Sequence, residues 1–504
     1  MRRSLFAFVT MVIVCVPLNA QQFRPEYFSF DARYPAVQVD LNGDGIPDLI
    51  GLNSGFQVIE LLSSGEGNFT SQTLSISGSG GGHPIASGDF NEDGKTDVIL
   101  FQPLGIAYGD GKGGFGSVQS ITWSGSNQQF NYARAQVADF NGDGQPDLAI
   151  GFDTVSEGGQ AATFQLVLFI NNGNGFNDGV TVYNQPIPDG SYGGFEYTTD
   201  LDLLLGDFDA DGHADLIFRT TESDPSNPGE PVATITALYG DGSGGFTPVS
   251  VSTSSNLFEI SAADMNNDGT SDIVAADYGA MMIFYGQPNR TFTAANLTAL
   301  ELVGLNPTLA DFSGDQRKDI VYASFPRKNN TDIGVSTLIQ TGAGTFDQKS
   351  FESIDTYQGG HGEVPFYQSF VGDYNADGKP DVMLISATED EHPQSADVLL
   401  NTRSGSNGTC QAPAPTGIHV CSPTANETVP NPVEFSFSAT SFYPVRKMEV
   451  WIDGKKLSET YAVFANEGFA DVKLRLKPGS HKVGLYSGGF DGSVQHTSYS
   501  ITVQ

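Results

Sequence analysis

The nonapeptide Asp40-Leu-Asn-Gly-Asp-Gly-Ile-Pro-Asp48 opens a pattern that recurs six more times along the 504-residue chain. The later copies start 49, 50, 68, 57, 47 and 62 residues apart, at Asp89, Asp139, Asp207, Asp264, Asp311 and Asp373. Self-similarity at such a period is the signature of repeat architectures, in which each repeat is one supersecondary unit. The chain is therefore predicted to fold as seven similar units.

Each nonapeptide places oxygen donors at alternate positions. Positions 1, 5 and 9 are aspartate in all seven copies, position 3 is asparagine, aspartate or serine, and position 6 is glycine in six copies. Calcium takes six to eight oxygen ligands in a flexible cage, and glycine permits the sharp turn that such a cage needs. No cysteine and only one imidazole, that of His213, occur in the loops, which argues against zinc or copper.

We therefore predict up to seven Ca²⁺ sites. The sixth is in doubt because Gln316 replaces the glycine and Ser313 is a poor ligand. The predicted ligands are the side chains at positions 1, 3, 5 and 9 and the backbone carbonyl at position 7, namely Asp40, Asn42, Asp44, Ile46, Asp48, Asp89, Asn91, Asp93, Lys95, Asp97, Asp139, Asn141, Asp143, Gln145, Asp147, Asp207, Asp209, Asp211, His213, Asp215, Asp264, Asn266, Asp268, Thr270, Asp272, Asp311, Ser313, Asp315, Arg317, Asp319, Asp373, Asn375, Asp377, Lys379 and Asp381.

Two other interpretations of the nonapeptide explain it less well. An EF-hand loop needs a bidentate glutamate at position 12, but that position holds Gly51, Leu100, Ile150, Phe218, Ala275, Tyr322 and Leu384. Alternatively the acids only form turns, since Asp, Asn and Gly favour turns in any case. A turn alone, however, does not need three or four oxygens at fixed alternate positions.

The residues after each nonapeptide read as β-structure. Apolar runs are followed by a glycine-rich turn and a phenylalanine, at Phe69, Phe115, Phe176, Phe246, Phe292 and Phe346. Four antiparallel strands in about 50 residues are typical of one propeller blade. The seventh unit lacks its glycine turn and last strand, whereas Phe23–Phe30 is a spare strand at the N-terminus. We therefore expect Phe23–Phe30 to complete the last blade; the alternative is a loose N-terminus.

These units resemble FG-GAP/VCBS repeats, and the loops are similar to those of the integrin α-subunit propeller. The resemblance spans roughly residues 23–405 and matches the loop motif well in six copies of seven. It implies an all-β, seven-bladed β-propeller over residues 21–405, with calcium on one face and ligand recognition generally on the other. It does not imply one function, because such propellers occur in adhesins, lectin-like proteins and a few carbohydrate-active enzymes.

The C-terminal part of the chain differs in composition. Residues 406–431 are predicted to form a linker and the start of a second module, and residues 432–504 alternate in the way typical of a β-sandwich. Cys421-Ser-Pro-Thr-Ala-Asn and Met448-Glu-Val-Trp-Ile-Asp-Gly resemble bacterial Ig-like modules. Residues 21–410 hold 51 acids and 14 bases, whereas residues 411–504 hold eight of each, so the acidic charge belongs to the repeats.

The N-terminus is predicted to be an export signal. Arg2 and Arg3 precede an apolar run over residues 5–18, and residues 18–20 form a small-residue cleavage site, so residues 1–20 read as a signal peptide. A single membrane anchor is the alternative, but this run is shorter than the roughly 20 residues needed to span a bilayer. We expect a secreted or cell-surface protein without a membrane span, in which Cys410 and Cys421 form a disulfide.

The net charge and the lengths of the connections limit which partner the protein can bind, and where. A formal net charge of −35 argues against nucleic acid and anionic lipid. The longest connections fall on the face opposite the metal loops, chiefly residues 177–200 and 347–365, and carry aromatic residues that suit recognition. The candidate anchors for a ligand are Tyr192, Phe195, Tyr357 and Tyr367.

Two functions remain open at this point. The first is a binding or adhesion module for an extracellular protein or glycan. The second is a polysaccharide-active enzyme, a lyase or hydrolase, that uses His361 or His392 with Glu363, Glu389 and Glu391 as acid and base. These five residues are more simply solvated loop residues, and the sequence carries no nucleophile-elbow or zinc-protease motif. No residue is therefore predicted to be catalytic.

Overall fold

Strands are the regular elements of the computed structural model of the chain. The structure describes residues 23–28, 33–53, 57–65, 69–78, 82–124, 129–155, 163–186, 202–223, 231–254, 257–277, 280–297, 302–326, 333–355, 366–376, 378–386, 396–401, 416–441, 445–461, 467–489 and 492–504. No helix within these ranges is long and apolar enough to cross a membrane. The predicted signal peptide, residues 1–20, lies outside them.

The first 28 strands form seven antiparallel four-stranded sheets in the described part of the chain. In chain order they are β1 (Phe23–Phe28), β2 (Arg33–Val39), β3 (Asp48–Leu52), β4 (Val58–Ser63), β5 (Phe69–Thr73), β6 (His83–Gly88), β7 (Asp97–Phe101), β8 (Gly105–Ala107), β9 (Gln119–Ser120), β10 (Gln129–Ala138), β11 (Asp147–Val155), β12 (Thr163–Phe169), β13 (Val180–Pro186), β14 (Asp202–Gly206), β15 (Asp215–Ser223), β16 (Pro231–Gly240), β17 (Phe246–Ser254), β18 (Leu257–Ala263), β19 (Asp272–Asp277), β20 (Ala280–Gln287), β21 (Thr291–Leu297), β22 (Leu302–Ala310), β23 (Asp319–Pro326), β24 (Ile333–Gly342), β25 (Thr345–Asp355), β26 (Phe366–Gly372), β27 (Asp381–Ser386) and β28 (Ala396–Asn401).

The second strand of each sheet is apolar and covered on both faces. In β7, Val98, Ile99 and Leu100 are all fully buried, which is typical of a sheet that packs against neighbours on both sides. One apolar cluster joins the sheets of β7 and β11, the next joins those of β11 and β15, and another joins the last sheet, through Met383, back to the first, through Leu49. The predicted all-β fold with repeated four-stranded sheets is confirmed, and its side-by-side packing is consistent with a propeller.

The N-terminal strand completes the last sheet. Strand β1 pairs antiparallel with β28, from Phe23 opposite Asn401 to Phe28 opposite Ala396, and the sheet has the order β1-β28-β27-β26. The expectation that this strand closes the repeats is confirmed for residues 23–28. The first and last sheets also meet at their inner strands, where the Gln38 side chain on β2 donates to the Val371 carbonyl on β26 at 2.9 Å.

Eight further strands form a separate unit with its own apolar core. They are β29 (Gly417–Ser422), β30 (Thr428–Val429), β31 (Val433–Thr440), β32 (Val445–Ile452), β33 (Lys455–Tyr461), β34 (Glu467–Leu474), β35 (Gly479–Gly489) and β36 (Val494–Val503). A three-stranded sheet, β29-β31-β34, and a five-stranded sheet, β30-β36-β35-β32-β33, share one buried cluster that includes Phe435, Val450 and Leu485.

The first strand of this unit lies before residues 432–504, the segment whose alternating pattern predicts a β-sandwich. Strand β29 lies inside residues 406–431, the segment assigned to the linker and the start of the module, and its Ile418 and Val420 pack against the core. Cys421, on the same strand, is disulfide-bonded. Cys410 lies outside the described residues, so the pairing of these two cysteines stays a prediction.

Removal of residues 21–30 should destabilise the repeats and promote aggregation. The deletion exposes β28, whose Val398, Leu399 and Leu400 are buried, as an unpaired edge strand. We expect a lower melting temperature by calorimetry and oligomers in size-exclusion chromatography. Deletion of residues 21–22 alone, which keeps β1, is the matched control; equal melting of both variants and the parent would contradict a structural role for β1.

Candidate metal centres

All seven nonapeptides lie between the first and second strands of their sheets. The first loop, residues 40–48, joins β2 to β3, and its ninth residue starts β3. Because neighbouring strands are antiparallel, each loop lies at the same end of its sheet as the turn that joins the third and fourth strands. The candidate ligands therefore lie at one end of each sheet.

Hydrogen bonds from side chain to backbone fold each loop, as the third loop shows. The Asp139 carboxylate accepts from the amides of Gly142 at 2.7 Å and Gly144 at 2.9 Å. Asn141 Oδ1 accepts from the Asp143 amide, and Asp143 Oδ1 accepts from the Gln145 amide, both at 2.9 Å. The side chains at positions 1, 3 and 5 are thereby held towards the inside of one turn.

Two residues in each loop adopt the left-handed backbone conformation. Position 6 is one of them, as the sequence predicts, and position 4 is the other, which the sequence analysis missed. Position 4 is glycine in three loops and otherwise Glu92, Ala210, Asn267 and Ala376, with φ between 57° and 59°. Position 4 is hard to recognise from the sequence because its residue type varies between loops. Each non-glycine residue there stores some backbone strain.

The ninth aspartate is completely buried in every loop. In the first loop, Asp48 Oδ2 accepts from the Leu41 amide at 3.0 Å and Oδ1 from the Ser63 amide at 2.7 Å. The other six have the same two kinds of donor, an amide at the start of the loop and one near the end of the third strand. A carboxylate offers about four lone-pair sites, so two remain for an ion.

The carboxylates converge most closely in the fourth loop. Oxygens of Asp207, Asp209 and Asp215 lie within 4.8 Å of one another, and all three residues are buried. The fourth loop is the one copy with an aspartate at position 3. Arg290, from the turn after β20 in the next sheet, pairs with this extra acid at 2.6 Å and with Asp211 at 3.3 Å. The sequence analysis did not find this arginine.

Burial raises the pKa of the ninth aspartate in the first six loops. It raises the pKa of Asp48, Asp97, Asp147 and Asp319 to about 7, of Asp272 to about 8 and of Asp215 to about 9. Desolvation is the main cause in each, and neighbouring loop carboxylates raise the pKa further. Buried, clustered oxygen donors without sulfur fit a hard divalent cation such as calcium, which would compensate this charge.

The second residue of each loop connects one sheet to the next through its side chain. It is apolar in all copies and nearly fully buried: Leu41, Phe90, Phe140, Phe208, Met265, Phe312 and Tyr374. At several boundaries it contacts the phenylalanine after the glycine turn of the following unit, with ring centroids 5.3 Å apart for Phe90 and Phe176 and 5.8 Å apart for Phe140 and Phe246. The two repeated sequence features, the nonapeptide and the glycine turn followed by phenylalanine, thus meet at the boundary between units.

A backbone carbonyl at the start of each loop makes the second connection. At four boundaries a side chain at the end of the third strand donates to the carbonyl of position 2: Ser63 to Tyr374, Asn171 to Phe90, Gln340 to Met265 and Asn401 to Phe312. At the other three boundaries a backbone amide donates to a carbonyl at the start of the loop: Gly113 to Leu41 and Gly244 to Phe140, both at position 2, and Ser271 to Asp207 at position 1. The sequence analysis missed this series of hydrogen bonds.

The candidate ligand-binding residues are described only in part. Tyr192, Phe195 and Tyr357 lie outside the described residues, as do Asp377 of the seventh loop and the acid and base candidates His361, Glu363, Glu389, Glu391 and His392. Tyr367 lies on β26. Tyr183, another aromatic residue of these connections, packs against the stacked rings of Phe164 and Phe218 and so contributes to the core between two sheets.

Replacement of Asn171 by leucine should destabilise the chain by about 1–3 kcal/mol, because buried carbonyls then lose their donor. Asn171 is 1% exposed, and its amide donates to the carbonyls of Phe90 at 2.9 Å and Pro146 at 3.1 Å. Urea denaturation measures the change. Asn172→Ala, at the exposed neighbouring position, is the control and should cost under about 0.5 kcal/mol; equal losses would contradict the connection.

The calcium-free protein should become less stable as the pH rises. Since burial raises the pKa of Asp48, Asp97 and Asp147 to about 7, the folded chain holds protons that the unfolded chain releases near pH 4. The resulting stability is complete below the unfolded pKa and is lost as the pH passes about 7. The gain in melting temperature on adding calcium should therefore increase from about pH 5 to about pH 8, because binding needs deprotonated ligands. A gain that shrinks over this range would contradict the metal assignment.

Comparison with known families identifies the repeat. Residues 40–100, 207–275 and 264–322 match the FG-GAP-like repeat, and residues 131–164 match the FG-GAP repeat. A search of curated proteins found no significant match. The resemblance to FG-GAP repeats is thus confirmed for these stretches.

Solved structures resemble the chain only loosely. An Agrocybe aegerita lectin that recognises non-reducing terminal N-acetylglucosamine is 17% identical, with a TM-score of 0.43 over 64% of this chain and 80% of the lectin. AofleA from Arthrobotrys oligospora is 11% identical, with a TM-score of 0.36 over 66% and 90%. A Schwanniomyces occidentalis fructofuranosidase is 10% identical, with a TM-score of 0.30 over 76% and 91%. These likenesses are too low to bear on function, whereas the sequence matches establish that the chain contains FG-GAP repeats.

Proposed function

We propose that the chain is a secreted, calcium-stabilised β-propeller of seven blades, followed by an Ig-like sandwich, and that it serves as an extracellular binding module for a protein or glycan. The observation that carries this proposal is the repeated loop. Its buried aspartates and its contacts with the next unit suit a structural ion that stiffens a scaffold. Partner recognition then falls to the connections at the opposite ends of the strands.

The calcium part of the proposal rests on charge. Residues 21–410 hold 51 acids and only 14 bases, and the acids concentrate in loops whose ninth aspartates are buried. Such a cluster repels itself unless a cation lies within it. At millimolar extracellular calcium and extracellular-type affinity, each occupied site would add about 0.5–1.5 kcal/mol by linkage.

The binding part rests on the contrast between the two ends of the sheets. The metal loops all have nine residues, whereas connections at the other end run from two residues, between β19 and β20, to fifteen, between β13 and β14. Variable connections on a rigid scaffold are where binding proteins place their contacts. Tyr192, Phe195, Tyr357 and Tyr367 belong to the longest connections or to the strand that follows one, so they are our candidate anchors.

The experiment is a binding screen of purified residues 21–504 against a glycan array and extracellular matrix proteins, in calcium and after chelation. We expect binding in calcium, a loss on chelation, and a loss of at least tenfold when the four anchor residues become alanine. Val180→Ala is the control, since Val180 is exposed near the metal-loop end of β13.

Two results would change the proposal. Unchanged affinity of the fourfold variant would move the contact to the metal-loop end or to the sandwich. Release of oligosaccharides from a polysaccharide panel, without stable binding, would favour the lyase or hydrolase instead.

A further inference from the structure

The sixth loop, residues 311–319, departs from the other six in its hydrogen bonds. Asp319 Oδ2 accepts from the Ser313 amide at 2.7 Å, whereas the ninth aspartates of the other loops accept from the amide of position 2. The Ser313 hydroxyl donates to Asp311 Oδ1 at 3.3 Å, so the short side chain at position 3 serves the loop itself. Gln316, in place of glycine, has the strained left-handed φ of 69°.

The sixth loop also carries its own cations. Position 8 is Pro47, Thr96, Pro146, Ala214, Ser271 and Pro380 in the other loops but Lys318 here. The Lys318 side chain is buried, and its Nζ has no hydrogen-bond partner among the described residues. Its ammonium interacts electrostatically with the buried Asp311 carboxylate. Arg317, at position 7, pairs with Asp315 at 2.8 Å.

Charge distinguishes this loop from one that suits a divalent ion. The sixth nonapeptide has three acids and two bases, whereas the first, third and fifth have three acids and no base. A calcium ion in the sixth loop would face a buried ammonium of the same sign, in surroundings where water screens little. Conversely, a buried ammonium needs a carboxylate near it, and Asp311 supplies one.

The arginine near the fourth loop is a different case. Arg290 comes from the neighbouring sheet, its side chain is 38% exposed, and it pairs with the extra aspartate at position 3. Four acids and one base leave the fourth loop with the same net charge as the calcium-type loops. Arg290 therefore neutralises one additional carboxylate of the fourth loop. Lys318, in contrast, offsets negative charge of the sixth loop that would otherwise attract a calcium ion.

We infer that the sixth loop holds no calcium, because its ligand set is poor and Lys318 adds a buried positive charge there, so that the chain binds six calcium ions and not seven. The inference rests on the proposed calcium role of the other loops. This buried positive charge is present at any calcium concentration. One of the seven units is thus independent of calcium, and it lies between two units that depend on the ion.

The test counts bound calcium in residues 21–504 by native mass spectrometry. We expect six ions in the parent, five after Asp264→Asn in the fifth loop, and six after Asp311→Asn in the sixth. The two substitutions are matched, because both aspartates are buried at position 1 and accept from the amides of positions 5 and 6. Seven ions in the parent, or one fewer after Asp311→Asn, would overturn the inference.

A second variant keeps the test decisive if Asp311→Asn does not fold. The triple substitution Ser313→Asn, Gln316→Gly and Lys318→Pro restores the pattern of the third loop, and we expect it to bind a seventh ion. A count that stays at six would contradict the role given to Lys318. No bound calcium in any variant would contradict the calcium part of the proposed function itself, and this inference with it.

Discussion

The buried ninth aspartate is the interaction on which the repeats depend. Its two oxygens accept amides from two separated parts of the unit, Leu41 and Ser63 in the first copy, and so tie the start of the loop to the end of the third strand. In an asparagine one of these two oxygens would be an NH2 group, which donates and would face an amide donor. This requirement explains why position 9 is aspartate in all seven copies, while position 3 tolerates asparagine, aspartate or serine.

The residue at position 2 of the loop connects its unit to the next one. The amide of position 2 donates to the ninth aspartate, its carbonyl accepts from the following unit, and its side chain packs on that unit's phenylalanine, as with Phe90, Asn171 and Phe176. Each unit is therefore held by its neighbour as well as by its own sheet, which is how repeat proteins distribute stability. Strand β1 pairs with β28 and so ties the N-terminal strand to the last unit.

Much of this architecture could be predicted from the sequence, because it is written in local patterns. The loops, the strands after them and the N-terminal strand follow from spacing, alternation and a missing element in the seventh unit. Arg290 and the donors Asn171 and Gln340 could not be predicted, because their partners lie 75 or more residues away in the chain. Strand β29 was assigned partly to a linker because its Gly, Ser, Thr and Pro neighbours obscure a short alternation.

The ends of the sheets differ in how freely they can change. At the end with the nonapeptides, the side chains at positions 1, 3, 5 and 9 accept loop amides, as in the third loop, and the start of the loop also bonds the neighbouring unit, so an inserted residue would disturb two units at once. The connections at the opposite ends vary from two to fifteen residues. The acidic repeats also disfavour a polyanionic partner, since like charges across an interface repel. A neutral or basic partner that contacts the variable connections satisfies both constraints.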